Sequence, residues 1–324
     1  MDEFALIQKF FHPLQGEDDD SSAEDFILKI GDDAAVWKGQ GNLAFSIDTL
    51  VEGVHFTPDI PPEDLGYRVL AVNLSDLAAM AATPSFFTLA ITLPEANPVW
   101  LEQFAQGMKT LAVHHGIALV GGDTTRGPLT ITVQVHGDCP KPIKRSGACV
   151  GDDVYVTGFP GDAASGLKIW LDKRAQNLTE TEAYLVDRFH RPTPRVELAQ
   201  QLAPYLNSML DVSDGLVSDL GHIAKASDVD LQVQVDWVTP SDQNVTCVGA
   251  DSALKLALTG GDDYELAFTA PQKYRQEIAD IAAQTGLPVT LIGRVHDKAE
   301  ADRFGRVSLF PESYAVKQGG YNHF

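Results

Sequence analysis

The residues that could carry chemistry in this sequence are acids that recur in short polar motifs. Most of these acids lie where a predicted strand meets a loop, and several are flanked by Gly, Ser or Thr. The groups are Asp32 with Asp33, Asp48, Asp76, Asp123, Asp211 with Asp214, and Asp262 with Asp263. If they converge in the fold, their mutual repulsion would be severe unless divalent cations lay between them. Oxygen ligands without a His/Cys cluster favour Mg²⁺ or Mn²⁺ over Zn²⁺, and they indicate metal-assisted phosphoryl transfer.

The overall charge agrees with this chemistry. The chain of 324 residues has 24 Lys and Arg against 45 Asp and Glu, a formal net charge of −21. Such a surface repels nucleic-acid phosphates and anionic membranes, so both are poor partner candidates. A small phosphorylated substrate would need bound cations to approach the acids.

The stretch from Ile117 to Val135 changes character in its middle, and we expect strand, loop and strand. In the predicted loop, 121–127, two glycines allow close approach of a ligand, Asp123 offers metal-binding oxygens and Arg126 a planar cation. This set suits phosphate and Mg²⁺. A hairpin turn with a polar tip explains the same residues equally well, and the loop alone does not decide between them.

The elements of the first half predict an α+β or α/β domain that ends near Asp138. Strands are expected at 27–36, 43–47 and 86–93, and helices at 3–11, from Pro62 onward and at 100–115. In the second helix Asn73 and Asp76 share one face of an otherwise apolar segment. A carboxylate there is costly to bury without a cation, although this face could also reach solvent.

A basic, proline-containing linker at 139–150 predicts a boundary between domains 1–138 and 151–324, and it carries Arg145. An α/β second domain follows, with strands at 154–157, 231–235 and 289–295 and helices at 180–189, 195–206, 252–258 and 272–285. The segment 161–168 fails as a P-loop because Leu167 stands where the motif needs Lys, which leaves a turn and a helix start. Ser213 or Asp214 is expected to cap the helix that follows.

Three well-separated cysteines without a CxxC pair argue against a zinc site or a disulfide framework. The first residues lack the basic and apolar regions of a signal peptide, and no apolar run approaches membrane-spanning length. We therefore expect a cytoplasmic protein.

Taken together and in order, six motifs closely resemble the thiamine-monophosphate kinases of the aminoimidazole ribonucleotide synthetase superfamily. The motifs are GDDAAV at 31–36, SIDTLVEGVHF at 46–56, NLSDLAAM at 73–80, GGDTTRG at 121–127, DVSDGL at 211–216 and GDDYEL at 261–266. The resemblance runs nearly end to end and finishes at Gly320–Phe324. Three positions depart from it: Ile47 replaces a frequent Thr, Ala81 a common Gly and Asn322 a common Asp.

The resemblance implies a two-domain fold, with an N-terminal mixed sheet and helices that dimerise and a C-terminal α/β domain that completes the active cleft. It implies phosphorylation of thiamine monophosphate by ATP, by direct in-line transfer in a homodimer. The residues implied as Mg²⁺ ligands are Asp33, Ser46, Ile47 through its backbone, Asp48, Asp76, Asp123, Asp211 and Asp214. Gly122, Arg145 and Ser213 would contact ATP, and His55, Asp262 and Tyr321 the thiamine phosphate. Asp76 and Asp123 would carry the metals that bridge the reacting phosphates.

Other activities remain open at this point. Aminoimidazole ribonucleotide synthetase shares the expected fold, a Mg²⁺-dependent phosphatase would use the same acids, and a non-catalytic nucleotide-binding module is a third alternative. Selenophosphate synthetase would need a reactive Cys early in the chain, but none precedes Cys139. The carbamoyl-dehydrating hydrogenase maturation protein would end in Cys, whereas this sequence ends in Phe324.

Overall fold

The protein is described by a computed structural model that divides into two compact units. One unit comprises Met1–Leu77 and Ala82–Pro140, and the other Ala78–Ala81 and Lys141–Phe324. The structure describes residues 9–10, 13, 26–28, 36–37, 41–174, 176–299, 303–311 and 314. Most of the expected helix at 3–11 and most of the GDDAAV motif therefore lie outside the described residues. Strands β1 (Phe26–Leu28) and β2 (Val36–Trp37) pair antiparallel.

The first unit contains a four-stranded mixed sheet. Its strands are β3 (Leu43–Val51), β4 (Thr83–Leu93), β5 (Ala118–Arg126) and β6 (Thr130–Asp138), in the order β3-β6-β4-β5. Strands β4 and β5 are parallel, and the other pairs are antiparallel. Burial alternates along β6, where Ile131, Val133 and Val135 are fully buried and the residues between them are not. One face of this sheet is therefore packed, as the period-two pattern requires.

Two helices complete the described part of this unit, α1 (Pro62–Ala79) and α2 (Pro98–His114). Proline occupies the first helical position of each, where its missing N–H costs nothing. The helices touch through glycine: a Cβ added at Gly66 would lie 2.0 Å from the carbonyl oxygen of Phe104, and one at Gly107 would lie 1.8 Å from that of Glu63. This contact leaves no room for a side chain at either glycine.

The second unit is built on a six-stranded sheet with the order β12-β9-β11-β7-β10-β8. Its strands are β7 (Asp153–Thr157), β8 (Ser208–Val212), β9 (Asp230–Gln234), β10 (Glu265–Ala270), β11 (Val289–His296) and β12 (Val307–Phe310). Neighbouring strands are antiparallel except β12 and β9, which are parallel. The helices are α3 (Asp162–Lys173), α4 (Glu180–His190), α5 (Val196–Leu202), α6 (Leu216–Ser227), α7 (Asp242–Val248), α8 (Ala250–Thr259) and α9 (Arg275–Thr285).

Both faces of this second sheet are buried. Val154 and Val156 of β7 belong to a core that includes Leu220 of α6, whereas Tyr155 between them belongs to a core that includes Leu198 of α5. Successive strand residues point to opposite faces, so helices cover the sheet on both sides. The α/β fold class expected from the sequence is confirmed.

One expectation about the first unit is wrong. The segment 121–127 is not a loop between two strands, because β5 continues through Gly121 to Arg126 and pairs there with Thr88–Leu93 of β4. Nor do β5 and β6 form a hairpin, since β4 lies between them in the sheet. The residue types are those of a turn, but pairing with a neighbouring strand overrides local preference. Two elements were also missed, α7 and β12.

The helices that the structure describes include none that is both long enough and apolar enough to span a bilayer.

Candidate active site

The acids of β3 and α1 meet in the first unit. The Ser46 hydroxyl donates a hydrogen bond of 2.6 Å to Oδ2 of Asp76, and the backbone N–H of Asp48 donates one of 3.0 Å to Oδ1 of Asn73. The amide nitrogen of Asn73 donates in turn to the carbonyl oxygen of Val69, which fixes the orientation of the amide. The polar face that the sequence places on α1 is therefore directed at β3. Asn73 is fully buried, so its role is to hold the strand.

The electrostatics of this cluster favour a cation. Burial, together with the nearby negative charge of Asp76, raises the pKa of Asp48 from 3.8 to about 6. A raised carboxyl pKa means that the ionised form is disfavoured, and a divalent cation would reverse this effect. The donors are hydroxyl and carboxylate oxygens, the ligands that Mg²⁺ prefers. Ile47 lies between Ser46 and Asp48 and is 57% exposed. Its hydrocarbon side chain has no ligand atom, so only its backbone could contribute to such a site.

Gly122 and Asp123 lie elsewhere in the same sheet. The register aligns Asp48 with Val133, Val133 with Leu89, and Leu89 with Gly122, so Gly122 and Asp123 belong to the opposite edge strand. Three interstrand steps of about 4.8 Å separate these edges by roughly 14 Å. One ion cannot bridge that span, because Mg–O distances are about 2 Å. Within one chain the structure does not bring Asp123 together with Asp48.

Gly122 is required by packing, whatever it binds. A Cβ at this position would lie 1.8 Å from the carbonyl oxygen of Leu89 on β4. Both Gly122 and Asp123 are exposed, so the sheet edge presents them to solvent. A side chain at Gly122 would separate β5 from β4 and displace Asp123 with it.

His55 is fixed in a turn that follows β3. Its Nδ1 accepts a hydrogen bond of 3.0 Å from the backbone N–H of Val51, and the backbone N–H of His55 donates to the Val51 carbonyl oxygen. Since Nδ1 acts as an acceptor, the proton of the neutral ring is on Nε2. The imidazole can therefore act as a hydrogen-bond donor through Nε2.

In the second unit the DVSDGL motif covers the end of β8, the loop Ser213–Gly215 and the first residue of α6. Oδ2 of Asp219 accepts hydrogen bonds from three consecutive backbone N–H groups, those of Ser213 at 3.1 Å, Asp214 at 3.0 Å and Gly215 at 3.1 Å. Burial raises the pKa of Asp219 to about 6, and the backbone N–H groups partly offset that increase. The expected cap by Ser213 or Asp214 is wrong: Gly215 is the N-cap residue, and no side chain caps the helix from that position.

The GDDYEL motif packs against this loop. The N–H of Asp262 donates to the carbonyl oxygen of Ser213, and that of Tyr264 donates to the carbonyl oxygen of Val212, both at 2.8 Å. Asp262 and Tyr264 have φ of 70° and 52°, a conformation that non-glycine residues adopt at a cost and that clusters at functional sites. The structure therefore brings Asp262 to the backbone of Ser213.

Asp263, grouped with Asp262 on sequence, has a separate position. It is 1% exposed, and its carboxylate accepts hydrogen bonds from the N–H of Gly161 at 2.6 Å and of Ala163 at 3.1 Å. These groups begin helix α3, so Asp263 anchors the motif there. Burial raises the pKa of Asp263 well above its ordinary value. In the sequence, the only indication of a role was that both acids follow two glycines. That pattern did not distinguish Asp262 from Asp263.

Glu265 was missed by sequence reasoning. It is 1% exposed and contacts Arg195 at 2.5 Å, Arg188 at 3.0 Å and the Thr157 hydroxyl at 2.6 Å. Burial alone would raise the pKa of Glu265, but Arg195 and Arg188 hold it below its ordinary value. This ion pair fixes the start of β10 directly after the strained residues.

Arg145 lies far from Ser213 within the second unit. Its carbonyl oxygen accepts from the hydroxyl of Ser227, the last residue of α6, whereas Ser213 precedes the first turn. The 12 residues of that helix span about 18 Å at about 1.5 Å per residue. The two cannot contact the same phosphate group from these positions. Asp33 and Tyr321 lie outside the described residues.

Comparison with known proteins follows the same two-part division. The family model of AIR synthase related protein, N-terminal domain, matches residues 31–139, and that of the C-terminal domain matches residues 150–304. A thiamine-monophosphate kinase of Salmonella typhimurium is 46% identical over 327 residues, 99% of this chain and 98% of its own length.

Solved structures agree. A crystal structure of thiamine-monophosphate kinase from Stenotrophomonas maltophilia K279a has a TM-score of 0.84 at 42% identity, covering 95% of this chain and 96% of its own. A structure of AaThiL complexed with AMPPCP and TMP has a TM-score of 0.78 at 30% identity, covering 87% of each chain. Since the similarity extends over both units and over the six motifs, this chain belongs to the thiamine-monophosphate kinases, an enzyme family of the AIR synthase related proteins.

Proposed function

We propose that this enzyme transfers the γ-phosphate of ATP to the phosphate of thiamine monophosphate, directly and in line, to give thiamine diphosphate. The observation that carries the proposal is full-length similarity to the thiamine-monophosphate kinases, at 46% identity to the Salmonella typhimurium enzyme. The complex of AaThiL with AMPPCP, an ATP analogue, and TMP supports the same pair of substrates for this chain.

Mg²⁺ fits the residues at hand. In the first unit, Ser46 and Asp76 are 2.6 Å apart and the neighbouring Asp48 has a raised pKa, so the cluster has oxygen donors and a need for positive charge. We assign the metal ligands as Asp33, Ser46, Ile47 through its backbone, Asp48, Asp76 and Asp123, with Asp211 and Asp214 in the second unit. Bound Mg²⁺ supplies neutralisation of the phosphate charge that develops during transfer.

The protein's own groups then orient the reactants. We assign Gly122, Arg145 and Ser213 to ATP, and His55, Asp262 and Tyr321 to the thiamine phosphate. His55 donates from Nε2, since Nδ1 already accepts from Val51, and this donor suits a phosphate oxygen. Because phosphoryl transfer requires little covalent chemistry from the enzyme, positioning accounts for most of the catalysis.

We further propose a homodimer in which the four-stranded sheets of two copies pair. The outer face of edge strand β3 carries Phe45 and Ile47, which are 65% and 57% exposed in the single chain. Pairing would cover this apolar surface, and a two-fold axis relates each contact to its equivalent. It would also allow β5 of one copy to approach β3 of the other, which would bring Asp123 to the Asp48 cluster of the partner.

A product assay tests the activity. The purified protein is incubated with ATP, Mg²⁺ and thiamine monophosphate, and thiamine diphosphate is separated from inorganic phosphate. Thiamine diphosphate formed in equal amount with ADP is the expected result. Phosphate release without thiamine diphosphate would favour a phosphatase, and cyclisation of formylglycinamidine ribonucleotide with no reaction of thiamine monophosphate would favour aminoimidazole ribonucleotide synthetase.

A further inference from the structure

The loop that carries Ser213 and Asp214 has a fully occupied inner side. Its three consecutive N–H groups converge on a single oxygen of Asp219, at 3.0 to 3.1 Å. Consecutive N–H groups arranged in this way form an anion-binding concavity, and here the anion is a carboxylate of the protein itself. The Asp219 side chain is buried, since the residue is 4% exposed.

This arrangement determines which groups of the loop can face a ligand. The three N–H groups are turned toward helix α6 and cannot cradle a nucleotide phosphate as a P-loop does. The Ser213 hydroxyl can still donate to a phosphate oxygen, and the Asp214 carboxylate can act through a bound cation. The geometry of these two side chains depends on the backbone of the loop, which Asp219 holds from behind.

The same loop is linked to the GDDYEL motif by backbone hydrogen bonds. The carbonyl oxygens of Val212 and Ser213 accept from Tyr264 and Asp262, so the front of the loop is fixed by one motif and the back by Asp219. Loss of the Asp219 carboxylate would leave three N–H groups, that of Gly215 buried and those of Ser213 and Asp214 partly buried, without their shared acceptor, and the loop would rearrange to satisfy them.

We propose that Asp219 is a positioning residue for phosphoryl transfer: its carboxylate sets the conformation of the Ser213–Gly215 loop and thereby the affinity for Mg²⁺-bound ATP, without contact to either substrate. The inference rests on the proposed function, because it takes the Ser213 loop as part of the ATP site. Asp219→Asn has the same shape and keeps a neutral acceptor oxygen, whereas Asp219→Ala leaves the concavity empty.

The test compares steady-state kinetics of wild type, both variants and a control. Asp242→Asn is the matched control, since Asp242 lies in the first turn of another helix of the second unit and is exposed. We expect the KM for ATP to rise about tenfold in Asp219→Asn, because loss of uniform binding raises KM and leaves kcat within about threefold. The control should retain both constants.

Rescue distinguishes positioning from general loss of structure. In Asp219→Ala, formate can occupy the empty concavity and restore the acceptor, so the KM for ATP should fall with increasing formate but not with chloride at equal ionic strength. If circular dichroism shows that Asp219→Ala does not fold, the test is decided by the KM and kcat of Asp219→Asn.

The outcomes separate this inference from the proposed activity. If wild type forms no thiamine diphosphate, the proposed function fails. If wild type is active and Asp219→Asn keeps the wild-type KM for ATP, or loses only kcat in proportion to its folded fraction, the positioning role is refuted.

Discussion

Replacement of Asp48 by Asn should make the metal-free protein more stable at neutral pH. Burial and the charge of Asp76 raise the pKa of Asp48 from 3.8 to about 6. One pKa unit corresponds to about 1.4 kcal/mol, so ionising this carboxyl in the folded state costs about 3 kcal/mol. Because the folded pKa is raised, the stabilising contribution is complete below pH 3.8 and is lost as the pH rises through 6. Asparagine stays neutral and avoids this loss.

The assay is urea denaturation in EDTA between pH 4 and pH 8, followed by circular dichroism. The free energy of unfolding of Asp48→Asn minus that of wild type should increase by about 2.4 kcal/mol from pH 4 to pH 7, since about 0.6 kcal/mol of the full effect is already present at pH 4. Asp138→Asn is the matched control, since Asp138 lies on the adjacent strand, paired with Leu43. Curves of Asp48→Asn and wild type that stay parallel within about 0.5 kcal/mol would refute the electrostatic argument. Excess Mg²⁺ should reverse the order at pH 8, which tests the metal assignment separately.

Three further predictions concern the same enzyme. Asp123→Asn and Asp48→Asn should each lower turnover by orders of magnitude. If each active site uses residues of both copies, dissociating the two variants and mixing them should restore about a quarter of wild-type activity, because half of the dimers are mixed and each of these has one intact site. No recovery in the mixed dimers would show that each site lies within one chain. Glu265→Gln should destabilise the second unit by about 3 kcal/mol, measured by urea denaturation, since it leaves the buried Arg195 and the partly buried Arg188 without their carboxylate. Gly122→Ala should weaken both folding and ATP affinity, because its Cβ would lie 1.8 Å from the Leu89 carbonyl oxygen, and an unchanged melting temperature would contradict the packing.

Much of the fold follows from local patterns. Helix α1 begins at the predicted proline, and its polar positions, Asn73 and Asp76, do face Asp48 and Ser46 of β3. These features depend on residue spacing along one element, which a sequence displays directly. The α/β class of the second unit follows in the same way from alternating strands and helices.

Features that depend on pairing partners could not be predicted. The segment from Gly121 to Arg126 has the composition of a turn, and only its parallel alignment with β4 makes it a strand. The distance between Asp48 and Asp123 could not be predicted for the same reason. It is set by the order of the strands in the sheet, which local residue patterns do not specify. The hydrogen bonds to Asp219 could not be predicted either. Capping rules search for a side chain that precedes the helix, such as that of Ser213, whereas here the acceptor lies in the first turn of the helix.

The contact between α1 and α2 has a consequence for how the enzyme tolerates change. Gly66 and Gly107 set the distance between the two helices, since each lies against a carbonyl oxygen of the other helix and leaves no space for a Cβ atom. Any larger residue there must shift α1 as a rigid rod and separate Asp76 from Ser46. In a screen of random variants, inactivating substitutions should therefore be frequent at these two glycines. Gly66 lies about three turns of α1 away from Asp76, whose position relative to Ser46 depends on this packing.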